Sequence, residues 1–317
     1  MDLRALRYFA AVAETGHMTR AAERLGIAQP PLSQQIKQLE RSLGLVLFKR
    51  HPRGVTLTEA GRLFQAEALR LLDDAQAMRA RMKRVAEGQA GVLRVGFTSS
   101  AAAHRFVPDA LRAFRQSHPG IELQLREANA AGLTDALASG RLHAALLRRP
   151  VARPDGLRFE TLLREPLVAA LPVDRLPPPS NGRAKALPLA RLCNEPLILV
   201  RRPGAPGMYA DLLSLCHAQG LAPQVVAEVD RMMTNLNLVA AGVGASVVPA
   251  SMAGVHPHAV AYLPLAGCET LDAPLTLAWR EGEDSLPAQQ FHALLQARAK
   301  PPAAGSASGP RRRKVPA

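Results

Sequence analysis

The chain has 317 residues, 48% of them hydrophobic, and a formal net charge of +14. That length exceeds one ordinary core and implies two or three domains. No apolar run approaches the roughly 18 residues of a membrane span, and the N-terminal stretch mixes Asp2, Arg4, Arg7 and Glu14 into its apolar residues, so neither a membrane span nor a secretory signal is expected.

A cytoplasmic protein is therefore expected. The charge is uneven. Residues 1–90 carry 15 basic and 9 acidic side chains, residues 91–297 carry 19 and 17, and the tail from Arg298 carries 6 and 0. A basic N-terminal module on a near-neutral body points to a local nucleic-acid contact, with a merely soluble basic surface as the alternative. Cys193, Cys216 and Cys268 form no CxxC motif and read as buried reduced thiols. The histidines lack metal-ligand spacing, and "HPH" at 256–258 reads as a surface loop. No cofactor or metal is expected.

In chain order, "MDLRALRYFAAVAETG" opens as an amphipathic helix. "MTRAAERLG" follows as a short helix with Thr19 as N-cap and Gly26 as its left-handed stop. Pro30 and Pro31 then stand where a helix would normally end. Proline is tolerated in a first helical turn, because the amides it lacks would be unpaired there anyway, so these two start the next helix. Leu32, Ile36 and Leu39 form its core stripe. Ser33, Gln34, Lys37 and Arg41 point the other way, with side chains suited to base edges and phosphates. Two helices, a tight turn and a polar second helix describe a helix-turn-helix, with a solvated helical hairpin as the bland reading. The next segment, "LVLFKRHPRGVTLT", reads as a two-stranded wing with Pro52 and Gly54 in the turn and Arg53 at the tip. Thr58 then caps a long helix, with Glu59 in its first turn.

The segments "LRYFAAVAETGHMTRAAERLGIAQPPLSQQIKQLERSLGLVLFKR" and "RGVTLTEAG" closely resemble the winged helix-turn-helix of LysR-type transcriptional regulators, over residues 1–62. The resemblance implies that Gln29, Pro30, Ser33, Gln34 and Lys37 face double-stranded DNA and that Arg53 makes the wing contact.

From Phe64, small or apolar residues recur at spacings of 4, 3, 4, 3 and 4: Phe64, Ala68, Leu71, Ala75, Met78 and Met82. This is a heptad seam, or else the face an amphipathic helix packs on its own domain. As a seam it gives a homodimer through the helix, which is also what the resemblance implies. A homotetramer is the expected larger assembly.

"GVLRVGF", "IELQLRE" and "LHAALLRR" are strand patterns, with helices at "AHRFVPDALRAFRQSHPG" and "LTDALASG" between them. This alternation predicts a parallel α/β sheet. After "TLLREPLVAALP" the pattern restarts, with strands at "PLILV", "QVVAEVD" and "ASVVP" and helices at "MYADLLSLCHAQG" and "MMTNLNLVAAGVG". "LTLAWR" and the helix "LPAQQFHALLQAR" complete the fold. The order resembles the two-lobed, periplasmic-binding-protein-like effector domain of the same family. The expected divisions are 1–58 for the winged helix-turn-helix, 59–90 for the linker helix and 91–300 for the effector domain. By the resemblance lobe one is 91–162 plus 272–300, and lobe two is 163–271. Residues 301–317 form a basic tail read as disordered.

Open α/β sheets bind ligands beyond the carboxyl ends of their strands, here at Thr98, Ser99 and Ser100. The resemblance carries an effector-contacting hydroxyl onto Ser100. After the second strand, where the family often has Ser or Thr, this chain has Ala130, and Asn129 could substitute. Arg148 follows the third strand, Arg202 and Pro203 lie at a strand end, and Met232, Met233 and Thr234 open a later helix. The arginines suit a carboxylate and the methionines an apolar wall; solvated or structurally paired arginines and core methionines are the bland readings. A small organic anion is the expected effector.

Two other function classes fit the sequence less well. An enzyme would need a reactive motif, and the chain has no GxSxG, P-loop or GxGxxG; "GVG" at 242–244 alone is weak. A solute-binding protein for transport would need export. Neither accounts for the winged helix.

Overall fold

The computed structural model describes residues 1–148, 153–176, 186–200, 209–268 and 270–299. The chain divides into two compact units, Met1–Glu87 and Gly88 onward.

The first unit begins with α1 (Leu3–Thr15), capped by Asp2, whose carboxylate accepts from the Ala5 amide at 2.8 Å. Left-handed Gly16 ends it. Helix α2 (Met18–Leu25) starts one residue before Thr19, so Thr19 is inside the first turn and not the cap. His17 takes the extended cap position and makes no side-chain cap bond. Gly26 stops α2 in the left-handed conformation, as expected. Helix α3 (Gln29–Leu43) carries both prolines in its first turn. It buries Leu32, Ile36 and Leu39 against Leu6, Phe9, Val12 and Leu47. Each such fully buried side chain contributes roughly 1.5–3 kcal/mol.

The wing is β1 (Phe48–His51) and β2 (Gly54–Leu57), antiparallel, with Pro52 and Arg53 between them. Glu40 on α3 sets its start: Oε1 accepts from the amides of Leu47 at 2.8 Å and Phe48 at 3.1 Å. The Val55 amide donates to the Gly16 carbonyl at 2.9 Å, which ties the wing to the end of α1. Helix α4 (Glu59–Ala86) is capped by Thr58, whose hydroxyl accepts from the Gly61 amide at 2.9 Å.

The seam on α4 is divided. Phe64 and Ala68 pack into the unit's own core, Phe64 edge-on against Phe9 at 4.8 Å between ring centroids. Leu71, Met78 and Met82 remain exposed. The first two seam positions therefore anchor the helix to its own domain, and only the later ones are uncovered within the unit.

The second unit is α/β, but its sheet is mixed where a parallel one was expected. In chain order lobe one contains β3 (Gly91–Phe97), α5 (Ser99–Ala102), α6 (Phe106–Ser117), β4 (Ile121–Glu127), α7 (Ala130–Ala138) and β5 (Ala144–Leu147). Strand β6 (Leu157–Pro172) crosses to lobe two, which holds β7 (Leu187–Pro188), α8 (Leu189–Cys193), β8 (Leu197–Val200), α9 (Ala210–Ala218), β9 (Val225–Val229), α10 (Met232–Ala240), β10 (Ser246–Pro249) and β11 (Val260–Ala266). Strand β12 (Asp272–Arg280) and α11 (Leu286–Ala299) return to lobe one.

Strands β4, β3 and β5 are parallel, but β12 runs antiparallel to both β5 and β6. The first part of β6, through Pro166, pairs with β12, and Leu167–Pro172 pairs with β10 and β11. One strand thus belongs to both lobes. Leu93, Val95, Phe114, Leu146 and Phe291 centre one core; Leu171, Leu192, Leu199, Tyr209 and Val247 centre another. The cysteines lie in lobe two, with Cys216 and Cys268 buried and Cys193 partly so. Burial pushes the Cys216 thiol up to about 12. Among the described residues no helix is long and apolar enough to cross a membrane.

Candidate functional site

Two groups of residues carry chemistry, one in each unit. In the first, the buried stripe of α3 turns Gln29, Pro30, Gln34 and Lys37 to solvent, with Ser33 half-buried. Gln29 Nε2 donates to Ser33 Oγ at 2.8 Å, one turn apart. This bond orders the first turn and leaves both side chains further donors and acceptors. Arg53 is exposed in the wing turn. The arrangement presents amides, a hydroxyl and cations on one rigid helix and one short hairpin, the chemistry that reads base edges and phosphates.

The second group lies where lobe one meets the strands crossing to lobe two. Thr98 caps α5, a single turn, through its hydroxyl, which accepts from the Ala101 amide at 3.2 Å. Its Oγ1 is also 3.3 Å from Ser100 Oγ. Ser100 is buried and Ser99 half-buried. Arg148, directly after β5, is 4% exposed. It is not a free cation awaiting a ligand. Its Nη2 lies 2.5 Å from Oε1 of Glu165 on β6, and it donates to the Ser100 carbonyl at 2.6 Å and to Ser251 Oγ at 3.1 Å. Ser251, in the turn after β10, donates to Glu165 through its amide at 2.7 Å and its hydroxyl at 2.9 Å. Burial pulls the Arg148 guanidinium below its ordinary value, and Glu165 opposes that shift. Burial likewise lowers His104, with Glu165 opposing and Arg148 reinforcing the shift. The expectation that Arg148 holds an external carboxylate thus meets an internal one already in place.

Other expected positions fare differently. Asn129 caps α7, its Oδ1 accepting from the Gly132 amide at 2.9 Å. Met232 is 4% exposed and packs in the core with Leu236, Val248 and Met252. Its apolar side chain is drawn inward by the same burial that shapes α10. Thr234 is exposed on α10, which packs against α5 across the lobes. An ion pair between Arg231 and Glu127, at 3.4 Å, also joins the two lobes. Arg202 and Pro203 lie outside the described residues.

Glu165 and Ser251 were missed from the sequence. The available signal was the Arg164–Glu165 pair of charges interrupting the otherwise apolar stretch from Leu162 to Leu171, since a charge is buried only beside a partner. Ser251 had no signal of its own.

Residues 3–62 match the family model described as a bacterial regulatory helix-turn-helix protein of the lysR family, and residues 86–300 match the LysR substrate binding domain. The chain belongs to the LysR family. It is a DNA-binding transcription regulator with an effector-binding domain. It is 40% identical over 288 residues to the uncharacterized HTH-type transcriptional regulator YnfL of Escherichia coli K12, covering 91% of this chain and 95% of that protein. It is 38% identical to the regulator IlvR of Caulobacter vibrioides, over 89% of this chain and 93% of that one. Among solved structures, full-length CbnR in complex with its target DNA is similar with a TM-score of 0.78 and 30% identity, covering 95% of this chain and all of CbnR. In this LysR-type regulator the winged helix and the two lobes therefore follow the same order as in a relative solved on DNA.

Proposed function

We propose that this regulator acts in the cytoplasm, without enzymatic activity, as a homo-oligomer on duplex DNA, and that a small organic anion held between its lobes switches it. The observation that carries the DNA reading is the two-faced α3: Leu32, Ile36 and Leu39 are buried while Gln34 and Lys37 project outward. Gln29, Pro30, Ser33, Gln34 and Lys37 form the reading face, and Arg53 supplies the wing contact. CbnR, solved with its target DNA, supports this assignment by likeness. Because Ser33 and Gln34 lie off the buried stripe, Ser33→Ala and Gln34→Ala leave folding intact. Each lost base contact costs about 1–3 kcal/mol of discrimination. Operator binding in a titration against scrambled duplex checks this; unchanged selectivity in both variants removes the assignment.

The linker helix supplies the dimer contact in this reading. Leu71, Met78 and Met82 are exposed at 40%, 51% and 57% on one seam of α4. A charge placed there faces an apolar wall or its own copy, and burying it unpaired is costly. Met78→Lys weakens the dimer while leaving both units folded. Sedimentation velocity measures the shift, and an undisturbed dimer rules out this seam.

The effector site in this reading is formed by Thr98, Ser99, Ser100, Arg148 and Thr234. Binding that prefers one arrangement of the lobes shifts the population of DNA-binding states, and only such differential affinity produces a switch.

A further inference from the structure

All three cysteines of the chain, separated by 23 and 52 positions, meet in one core of lobe two. Cys193 ends α8, and Cys216 lies in α9. Their Sγ atoms are 3.4 Å apart. The two sulfurs differ in setting. Cys193 is partly exposed, whereas Cys216 is fully enclosed. Burial, reinforced by the neighbouring Cys193, pushes the Cys216 thiol up to about 12, so it keeps its proton and serves as the donor of the pair. The outer sulfur is the one a reagent meets first. As small apolar side chains the cysteines fill space, and that accounts for their burial. It does not account for two sulfurs in direct contact with one of them open to solvent.

We propose that Cys193 and Cys216 form a reversible disulfide that staples α8 to α9, made by exchange with a low-molecular-weight thiol disulfide. Cys193 Sγ attacks one sulfur of that small disulfide. Its S–S bond breaks, one small thiol leaves with the proton of Cys193, and a mixed disulfide remains. Cys216 Sγ then attacks the Cys193 sulfur. The mixed bond breaks, and the second small thiol leaves with the proton of Cys216. Two protein thiols are thereby oxidised by two electrons, and the small disulfide is reduced to two thiols. Only a short approach separates 3.4 Å from the ~2 Å of a bond. The bond closes the stretch from 193 to 216, which contains β8 and, in sequence, Arg202 and Pro203. It forbids α8 and α9 to part, so the local openings of this side of lobe two become rarer. The closed loop also limits the unfolded chain, which raises the stability of the unit that carries it. In a thiol-rich compartment such a bond is transient and follows the ambient thiol–disulfide balance.

The test equilibrates the full chain in mixtures of reduced and oxidised glutathione, from fully reducing to fully oxidising. Remaining thiols are then blocked with iodoacetamide, and the peptides are mapped by mass. A linked peptide pair carrying Cys193 and Cys216 within one chain is expected, with Cys268 blocked after unfolding. The link should disappear on adding dithiothreitol. Trp279 on β12 reports the thermal transition of the C-terminal unit. That transition is expected to rise by roughly 5 °C or more on oxidation, the scale set by closing a loop of this length. The same oxidising mixture should leave the transition of Cys193→Ser unmoved. Cys216→Ala takes its place if Cys193→Ser does not fold, with the same expectation. A fully oxidising mixture that leaves both cysteines open to blocking overturns the proposal. So does a bridge through Cys268, a bridge between chains, or a glutathione adduct on Cys193 that Cys216 never resolves. A Cys193–Cys216 link that leaves the Trp279 transition in place removes the staple.

Discussion

Arg148→Met destabilises the C-terminal unit by about 3–5 kcal/mol, the cost of leaving one partner of a buried ion pair without the other. Both side chains are almost fully enclosed, Arg148 at 4% and Glu165 at 8% exposure, so water cannot replace the lost cation. The change also strips donors from the Ser100 and Ala273 carbonyls and from the Ser251 hydroxyl. Glu165 is then left as a buried charge without its partner cation. The chain's single tryptophan makes the measurement specific: Trp279 lies on β12 in this unit, so its fluorescence during denaturation reports the C-terminal unit alone. The Arg148→Met/Glu165→Leu double variant recovers part of the loss, because an apolar pair of similar bulk removes the uncompensated charge. A coupling of about 2 kcal/mol or more between the two sites is expected from the double-mutant cycle. Additive losses, or a single variant within 1 kcal/mol of the unaltered protein, show that the pair does not hold the lobes as described.

The second large effect is expected at the wing. Gly54→Ala breaks the junction between the hairpin and α1. A Cβ built on Gly54 falls 2.3 Å from the Gly16 carbonyl oxygen, a backbone atom with no freedom to yield, and the residue's φ of +137° is itself reserved for glycine. The same carbonyl accepts the Val55 amide at 2.9 Å, so relieving the clash costs that bond too. Strain and the lost bond together amount to about 3 kcal/mol, a large fraction of the stability of a small domain. Calorimetry of the full chain is expected to show the N-terminal transition moving down while the Trp279 transition stays in place. Operator affinity falls at least tenfold, because Arg53 is carried by the displaced turn. A variant with an unmoved N-terminal transition and unaltered DNA binding would falsify the account of the junction.

Much of this regulator is legible along the chain, and the reason is range. Pro30 and Pro31 mark a helix start, Gly16, Gly26 and Gly44 stop helices, and Leu32, Ile36 and Leu39 declare a core face; each signal acts within one or two helical turns. Thr19 shows the limit even there, since a cap is decided by backbone dihedrals at His17 that a residue type alone does not dictate. The heptad spacing from Phe64 to Met82 correctly describes one apolar face of α4. Spacing does not say what covers that face, and the unit's own core claims Phe64 and Ala68 while leaving Met78 and Met82.

The lobes were legible as alternating strands and helices, but the direction of β12 and the length of β6 were not. Residues Arg164, Glu165 and Pro166 interrupt the apolar pattern in the middle of β6, where the strand passes from one lobe's sheet to the other's. The effector region is only partly legible for the same reason. Thr98, Ser99, Ser100 and Arg148 follow strand ends, which sequence locates well. Their meaning depends on Glu165, 17 positions beyond Arg148, and on Ser251, 86 positions beyond Glu165. Composition and local periodicity by themselves determined a basic helix-turn-helix with a wing, a long amphipathic helix and an alternating α/β region, because propensity, capping and amphipathic burial are properties of neighbouring residues; the two lobes came from the family resemblance. Only the tertiary structure decided that Arg148 is already paired, that Met232 is core and that Asn129 is a cap, because a buried charge or donor is satisfied by whatever the fold brings beside it, however distant in the chain.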